Sequence, residues 1–437
     1  MPISIVTRPR AVGKNSSCFI PSQGSKLVFQ PQDRAAALDW GCKTKPFEIV
    51  KDVFWVGALH PELKIFDDLM PTRRGTTYNS YLVRGDRIAV IDAVKGLFAE
   101  EFLKNLSALV DPKRIDAIIL NHTEPDHSGA LEALLAAAPQ ARVYASKAAR
   151  LYLAELLNRP FECFTTGEAL ELSLGRKTLQ FISAPFLHWP DTIFTYMPED
   201  GILFPCDGFA THVCDKSMFN DLAADFEEDF RLYYDSLMRP YRDKVLAALD
   251  AIKPLDIRMI CPSHGPILRR DPKHYIEKYR EWATLKPRAK PCVAILYLSA
   301  HENTAAMAAA IAEGLQRAGT DAELLHLTET DDARIRDAFE SADGLIFGSP
   351  TIVRDLPPPM WRALSLLSTV KLRARKAAAF GSYGWSGEGV AFIEQRLRDM
   401  RLPLVESGLK TKFTPAAEDL EACRAFGARF AAAVAGG

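Results

Sequence analysis

The nine residues Asn121-His122-Thr123-Glu124-Pro125-Asp126-His127-Ser128-Gly129 put two imidazoles and two carboxylates into six consecutive positions. They follow the apolar run Ile115-Asp116-Ala117-Ile118-Ile119-Leu120, which predicts a buried strand, so all four groups gather at one strand end. That concentration of donors makes a metal site. Its carboxylate share favours a harder, redox-active ion such as iron over zinc, which suits an imidazole-rich pocket.

Working outward, 53–56, 78–83 and 88–92 read as strands and 100–109 as a helix. Strand and helix then alternate, with a strand at 115–120, a helix at 131–137, a strand at 143–145 and a helix at 147–157. The segments 178–182 and 192–197 read as paired strands, and one long amphipathic helix is predicted over 229–252. Periodicity stops in Ala283-Thr284-Leu285-Lys286-Pro287-Arg288-Ala289-Lys290-Pro291, a linker.

Beyond the linker the chain restarts. Val293-Ala294-Ile295-Leu296-Tyr297-Leu298 is the continuous apolar run of a strand buried on both faces of a parallel sheet. It runs into Ser299-Ala300-His301-Glu302-Asn303-Thr304 and a helix over 305–317, and a hydroxyl-rich turn at a helix N-terminus cradles phosphate. Strands at 323–327, 344–348 and 377–380, each separated by a helix length, predict a doubly wound parallel sheet with ligand loops at the strand C-termini. Two of those loops are Gly348-Ser349-Pro350-Thr351 and Gly381-Ser382-Tyr383-Gly384-Trp385-Ser386-Gly387.

Composition narrows the function classes. The 437 residues are 48% hydrophobic and 25% charged, ordinary globular material with room for two or three cores. With 54 basic against 55 acidic side chains, neither a nucleic acid nor a membrane surface is an expected partner. No apolar run approaches the roughly 20 residues that span a bilayer. The eight cysteines contain no Cys-x-x-Cys pair, which argues against iron-sulfur clusters, a fused rubredoxin knuckle and structural disulfides, and points to a reducing compartment. Residues 1–40 carry Arg8, Arg10, Lys14, Lys26 and Arg34 against Asp33 and Asp39, without helical period. They read as an extension. Transit peptides and bacterial N-terminal arms share that composition, and the arm, with a cytoplasmic protein, is the favoured reading.

In the order of its motifs the chain resembles the flavodiiron proteins (A-type flavoproteins), over roughly residues 46–437. Metal-dependent hydrolases of the metallo-β-lactamase type read His-x-His-x-Asp-His where this chain has His122-x-Glu124-x-Asp126-His127. The resemblance implies an N-terminal extension (1–45), a metallo-β-lactamase-like αββα sandwich (46–285) and a flavodoxin-like doubly wound domain (286–437). It implies that His122, Glu124 and His188 hold one iron, that Asp126, His127 and His264 hold the other, and that Asp207 bridges them. FMN is expected against Ser299, His301, Asn303, Thr304, Pro350, Thr351, Ser382, Tyr383, Gly384, Trp385 and Gly387. Where the family often has glycine this chain has Glu302, whose carboxylate should face solvent, away from the phosphate.

The implied activity is reduction of O2 to water, of NO to N2O, or both. Reduced flavin stores two electrons and each ferrous iron one, which together match the four that dioxygen needs. The implied donor is a separate protein such as rubredoxin, or a reduced deazaflavin, and the implied assembly is a head-to-tail homodimer or a dimer of dimers. A hydrolase with an appended flavodoxin-like domain and an electron-transfer flavoprotein with a vestigial metal site are the rival readings; Glu124 speaks against the first, the full ligand set against the second. Outside that set, His212 reads as a residue behind the ligands or on the surface, and His60, His274 and His326 as solvated. Asp92 reads either as a partner for a ligand imidazole or as a strand-end cap, and Trp189 and Tyr78 as pocket wall.

Overall fold

The structure, a computed structural model, describes residues 45–159, 162–167, 170–285 and 288–436. The N-terminal extension lies outside the described residues, apart from its last position.

Residue alternation builds the first layers. In Val53–Trp55, Ile88–Ile91 and Ala117–Leu120, Val53, Trp55, Ala89, Ile91, Ala117 and Ile119 enter one apolar cluster, while Phe54, Ile88, Val90, Ile118 and Leu120 enter another. A period of two puts successive side chains on opposite faces, so a strand that is apolar throughout must be covered on both. The two covers differ. One face meets a second sheet through Leu172, Leu179, Phe181 and Ile193; the other takes Phe102, Leu106, Leu131, Leu134 and Leu153 from the helices Ala99–Ser107, Leu131–Ala137 and Lys147–Leu156. The first sheet has seven strands and the second five, Glu171–Ser173, Thr178–Ser183, Ile193–Met197, Ile202–Phe204 and Met259–Ile260. Val245, Leu249 and Tyr279 cover the outer face of the second, which gives the αββα sandwich.

Two expected elements divide. The strand expected at 78–83 is two strands, Thr76–Tyr78 paired with Ala58–His60 and Tyr81–Arg84 in the large sheet. Asn79 holds the corner between them: its amide accepts from Trp55 Nε1 at 2.8 Å and donates to the Pro262 and Gly265 carbonyls, each at 2.9 Å. The helix expected over 229–252 is also broken. Glu227–Tyr233 passes through a π-turn at Tyr234–Met238 and a 3-10 turn at Arg239–Tyr241 before Arg242–Ile252. Pro240 has no N–H to continue the ladder and clashes with the preceding turn.

The second fold is a five-stranded parallel sheet ordered Asp321–His326, Cys292–Tyr297, Gly344–Gly348, Lys376–Tyr383, Leu409–Lys412. That is the 2-1-3-4-5 order of flavodoxin-like folds, whose ligands bind beyond the strand C-termini at the point where the order reverses. Asn303–Arg317 and Ala417–Ala435 cover one face; Asp332–Ser341, Pro358–Leu366 and Gly389–Asp399 cover the other. No described helix is long and apolar enough to cross a membrane.

The break at Pro240 bears on the contact between the two folds. Arg239 Nε and Nη2 donate to Glu340 Oε2 at 2.9 and 2.7 Å, Arg239 Nη1 donates to Asp235 at 3.2 Å, and Arg242 pairs with the other Glu340 oxygen. Glu340 belongs to Asp332–Ser341 of the second fold, and Arg239, Arg242 and Glu340 are all buried. Removing one partner of a buried ion pair strands the remaining charge. Glu340→Ala is therefore expected to lower unfolding free energy by about 3–5 kcal/mol, read by denaturant titration; a loss below about 1 kcal/mol, the ceiling for a solvent-exposed pair, rejects a buried role.

Candidate metal centre

Three strand ends and two loops converge at one rim of the sandwich. His122 and Glu124 follow Ala117–Leu120, Asp126 and His127 lie in the helical turn Pro125–Ser128, and His188 precedes Ile193–Met197. Asp207 follows Ile202–Phe204, and His264 follows Met259–Ile260.

The seven side chains meet as two groups. His122 Nε2 lies 3.2 Å from Glu124 Oε2 and 3.7 Å from Asp207 Oδ2; His188 Nε2 lies 3.1 and 3.6 Å from the same two oxygens. On the other side His127 Nε2 is 3.2 Å from Asp126 Oδ1 and 3.3 Å from Asp207 Oδ1, and His264 Nε2 is 3.0 Å from Asp126 Oδ2 and 3.5 Å from Asp207 Oδ1. Donors each about 2.1 Å from one metal and at right angles to each other lie about 3 Å apart, so this spacing fits ligand edges. Buried unpaired atoms fit a metal too: Asp126 Oδ1 and Oδ2, His127 Nε2 and Asp207 Oδ2 hydrogen-bond to nothing among the described residues.

Surrounding groups set ring orientation. Asp191, fully buried, accepts from His122 Nδ1 at 3.1 Å, from Thr123 N at 2.8 Å and from Thr123 Oγ1 at 2.7 Å. His264 Nδ1 donates to the Thr77 carbonyl at 2.6 Å, which leaves Nε2 for a metal. Tyr233 Oη and Ser263 Oγ donate to Asp207 Oδ1 at 2.9 and 2.8 Å. Burial opposes charge on His188, but Asp207 and Glu124 outweigh it and raise its pKa to about 10; His122 is raised the same way against burial, by Asp191 and Glu124. A metal must displace those protons, so metal affinity falls as pH falls.

Several expectations need revision. His60 is half-buried rather than solvated, and burial followed by the Lys95 charge lowers its pKa to about 4. His326 is also half-buried, against Tyr297, whereas His274 is exposed. His212 is buried behind the ligands, its Nδ1 2.8 Å from Thr76 Oγ1 and its ring 4.9 Å from that of His264. Asp92 hydrogen-bonds to no imidazole among the described residues; it accepts from the backbone and side-chain nitrogens of Asn121 at 2.7 and 3.2 Å, and so caps the strand end. Trp189 and Tyr78 do line the site, with ring centroids 5.0 Å from His122 and 5.8 Å from His264. Two neighbours escaped the sequence reading. Asp191 had only its proximity to His188 as a signal, and Asp67 had none. Burial and then Glu124 push the Asp67 carboxyl up to about 7.

In the second fold, the loops after Cys292–Tyr297, Gly344–Gly348 and Lys376–Tyr383 lie on neighbouring parallel strands. Thr304 is buried with Oγ1 2.8 Å from Ser382 Oγ; Ser299 Oγ accepts from Ala305 N at 3.1 Å; Thr351 N donates to the Ser382 carbonyl at 3.1 Å. This brings Ser299, Thr304, Thr351 and Ser382 into one cradle, with Asn303 at the helix start, Pro350 beside Thr351, and Gly387 packed against Tyr383. His301 and Trp385 stand exposed, with Gly384 between Tyr383 and Trp385. Glu302 is exposed as expected, at a left-handed φ of +59° that glycine adopts without strain.

Residues 76–265 match the family described as ODP family beta lactamase, and residues 295–427 match flavodoxin. A type A flavoprotein of Rhodobacter capsulatus is 43% identical over 399 residues, covering 89% of this chain and 91% of that protein. The chain belongs to the flavodiiron, or type A flavoprotein, family. A second family member, named nitric oxide reductase, from Moorella thermoacetica, is 34% identical over 90% of this chain and 100% of its own length. Rubredoxin oxygen:oxidoreductase of Desulfovibrio gigas superposes with a TM-score of 0.67 at 28% identity, covering 90% of this chain and 99% of that one.

Proposed function

We propose that this flavodiiron protein is an oxidoreductase that reduces O2 to water, NO to N2O, or both, at a non-haem diiron site supplied with electrons through FMN. The observation that carries the reading is the sharing of Asp207 between two ligand groups. His122, Glu124 and His188 would hold one iron and Asp126, His127 and His264 the other, with Asp207 placed to serve both. The relatives' names, nitric oxide reductase and rubredoxin oxygen:oxidoreductase, support both gases as substrates. When bound, the iron pair and the flavin supply the electron store and the open coordination positions for a diatomic gas.

The chain's own residues do the rest. Asp191 and the Thr77 carbonyl orient His122 and His264; Tyr233 and Ser263 hold Asp207 between the two groups. The Ser299, Asn303 and Thr304 turn binds the FMN phosphate at a helix N-terminus. Pro350 and Thr351 would hold one side of the isoalloxazine and Ser382, Tyr383, Gly384, Trp385 and Gly387 the other, with His301 against the flavin or its phosphate. The diiron domain covers 46–285 and the FMN domain 286–437. The protein works in the cytoplasm as a head-to-tail homodimer or a dimer of dimers, reduced by rubredoxin, a similar carrier or a reduced deazaflavin.

Metal analysis with a visible spectrum tests the reading. About two irons and one FMN per chain are expected; zinc without redox activity, or flavin alone, rejects it. Anaerobic stopped-flow of the reduced protein against each gas then ranks O2 and NO. Thr304→Ala should weaken FMN binding by about 1–3 kcal/mol, because a buried phosphate contact and the Ser382 pairing both go unmade. Fluorescence titration of flavin-depleted protein measures it, and unaltered affinity removes Thr304 from the site.

A further inference from the structure

Between the metal centre and the surface lies a run of oxidisable rings. Tyr233 donates to Asp207 Oδ1 at 2.9 Å, and Tyr279 Oη accepts from the backbone N–H of Phe209, two residues beyond Asp207, at 3.0 Å. The Tyr279 and Tyr234 ring centroids are 5.0 Å apart, and those of Tyr234 and Trp282 5.1 Å. Tyr233, Tyr234 and Tyr279 are buried, whereas Trp282 is only partly so. Over Trp282, at 4.9 Å, lies the Arg231 guanidinium, whose side chain is 41% exposed, so the run ends at solvent.

Packing alone accounts poorly for its chemistry. A buried tyrosine ordinarily finds a hydrogen-bond partner, yet Tyr234 Oη has none among the described residues. Phenylalanine would fill that place without leaving a polar atom unpaired.

We propose that Tyr233, Tyr279, Tyr234 and Trp282 form a one-electron path that draws oxidising equivalents from the metal centre to the surface when the flavin is empty. The proposal rests on the diiron reading above. Dioxygen meeting a ferrous pair with oxidised FMN finds two of the four electrons it needs. Each missing electron leaves Trp282 and travels inward through Tyr234, Tyr279 and then Tyr233. The indole N–H proton goes to solvent, because the Arg231 charge disfavours a cationic ring, and a neutral tryptophan radical remains. A thiol at the surface reduces that radical, so two transits convert two thiols to one disulfide. With four protons from solvent, the dioxygen leaves as two waters.

The test uses holoprotein with iron reduced and flavin oxidised, mixed with O2, freeze-quenched for electron paramagnetic resonance and then digested for mass spectrometry. An organic radical is expected, with oxygen added at Trp282 several-fold above Trp361. Trp361 is 39% exposed, so a diffusing oxidant would reach it at least as readily. Tyr234→Phe keeps the packing and should cut Trp282 oxidation several-fold, with iron, FMN and fully reduced turnover unchanged. Trp282→Phe should shift the oxidation to Tyr234 and Tyr279. Oxygen uptake without selective modification of Trp282, or iron-loaded protein that consumes no O2, overturns the path alone; a protein that binds no iron overturns the functional reading and the path with it.

Discussion

Replacing Asp207 by alanine is expected to strip at least one iron from the protein and abolish gas reduction, while FMN content stays near about one per chain. Asp207 lies within 3.7 Å of the Nε2 atoms of His122 and His188 through one oxygen, and within 3.5 Å of those of His127 and His264 through the other. No other carboxylate of the seven approaches both groups. On the proposed assignment its loss would remove a ligand from each metal and leave four imidazoles together without the central negative charge. It also leaves the buried hydroxyls of Tyr233 and Ser263 without their acceptor. Since the flavodoxin-like fold has its own core, flavin absorbance should survive. Metal analysis beside the visible spectrum decides the matter, and a variant that kept both irons and full turnover would remove Asp207 from the bridge.

Glu124→His should change the identity of the metal. Glu124 Oε2 sits 3.2 Å from His122 Nε2 and 3.1 Å from His188 Nε2, so it completes an oxygen-bearing set on one side of the centre. An imidazole there recreates the His-x-His-x-Asp-His pattern of hydrolytic zinc sites, and softer nitrogen ligation shifts preference toward zinc. It also deprives Asp67 of its carboxylate neighbour. Protein grown with both metals should come out enriched in zinc and without oxidase activity. Unchanged iron content together with an unchanged oxygen-uptake rate would show that Glu124 does not select the metal.

Much of the site was legible because its signals are local. His122, Glu124, Asp126 and His127 share one strand end, and their spacing needs no partner from elsewhere to be read as a metal motif. His188 and Asp207 each read alone as ordinary loop or turn residues, and His264 only shares their strand-end context. Only the family resemblance linked them in sequence, and the structure brings them within hydrogen-bonding range of the first four. Asp67 and Asp191 show the limit: a carboxylate that acts through a neighbouring ligand has no spacing of its own to betray it.

Strands buried on both faces announced themselves as apolar runs, and the second fold's alternation of strand and helix left few topologies open. Those features depend on residues near in sequence, so the sequence by itself determined the doubly wound fold, its ligand loops and the metal motif, while the αββα sandwich and the flavin followed from the family resemblance. Other features depend on what meets across long separations. Asn79 turns the chain between two sheets because the Pro262 and Gly265 carbonyls face it; Arg239 becomes a buried cation only because Glu340, 101 positions away, comes from the other fold. The tertiary structure alone decided those partners, since a hydrogen bond or an ion pair is specified by distance and desolvation, neither of which is written in residue order.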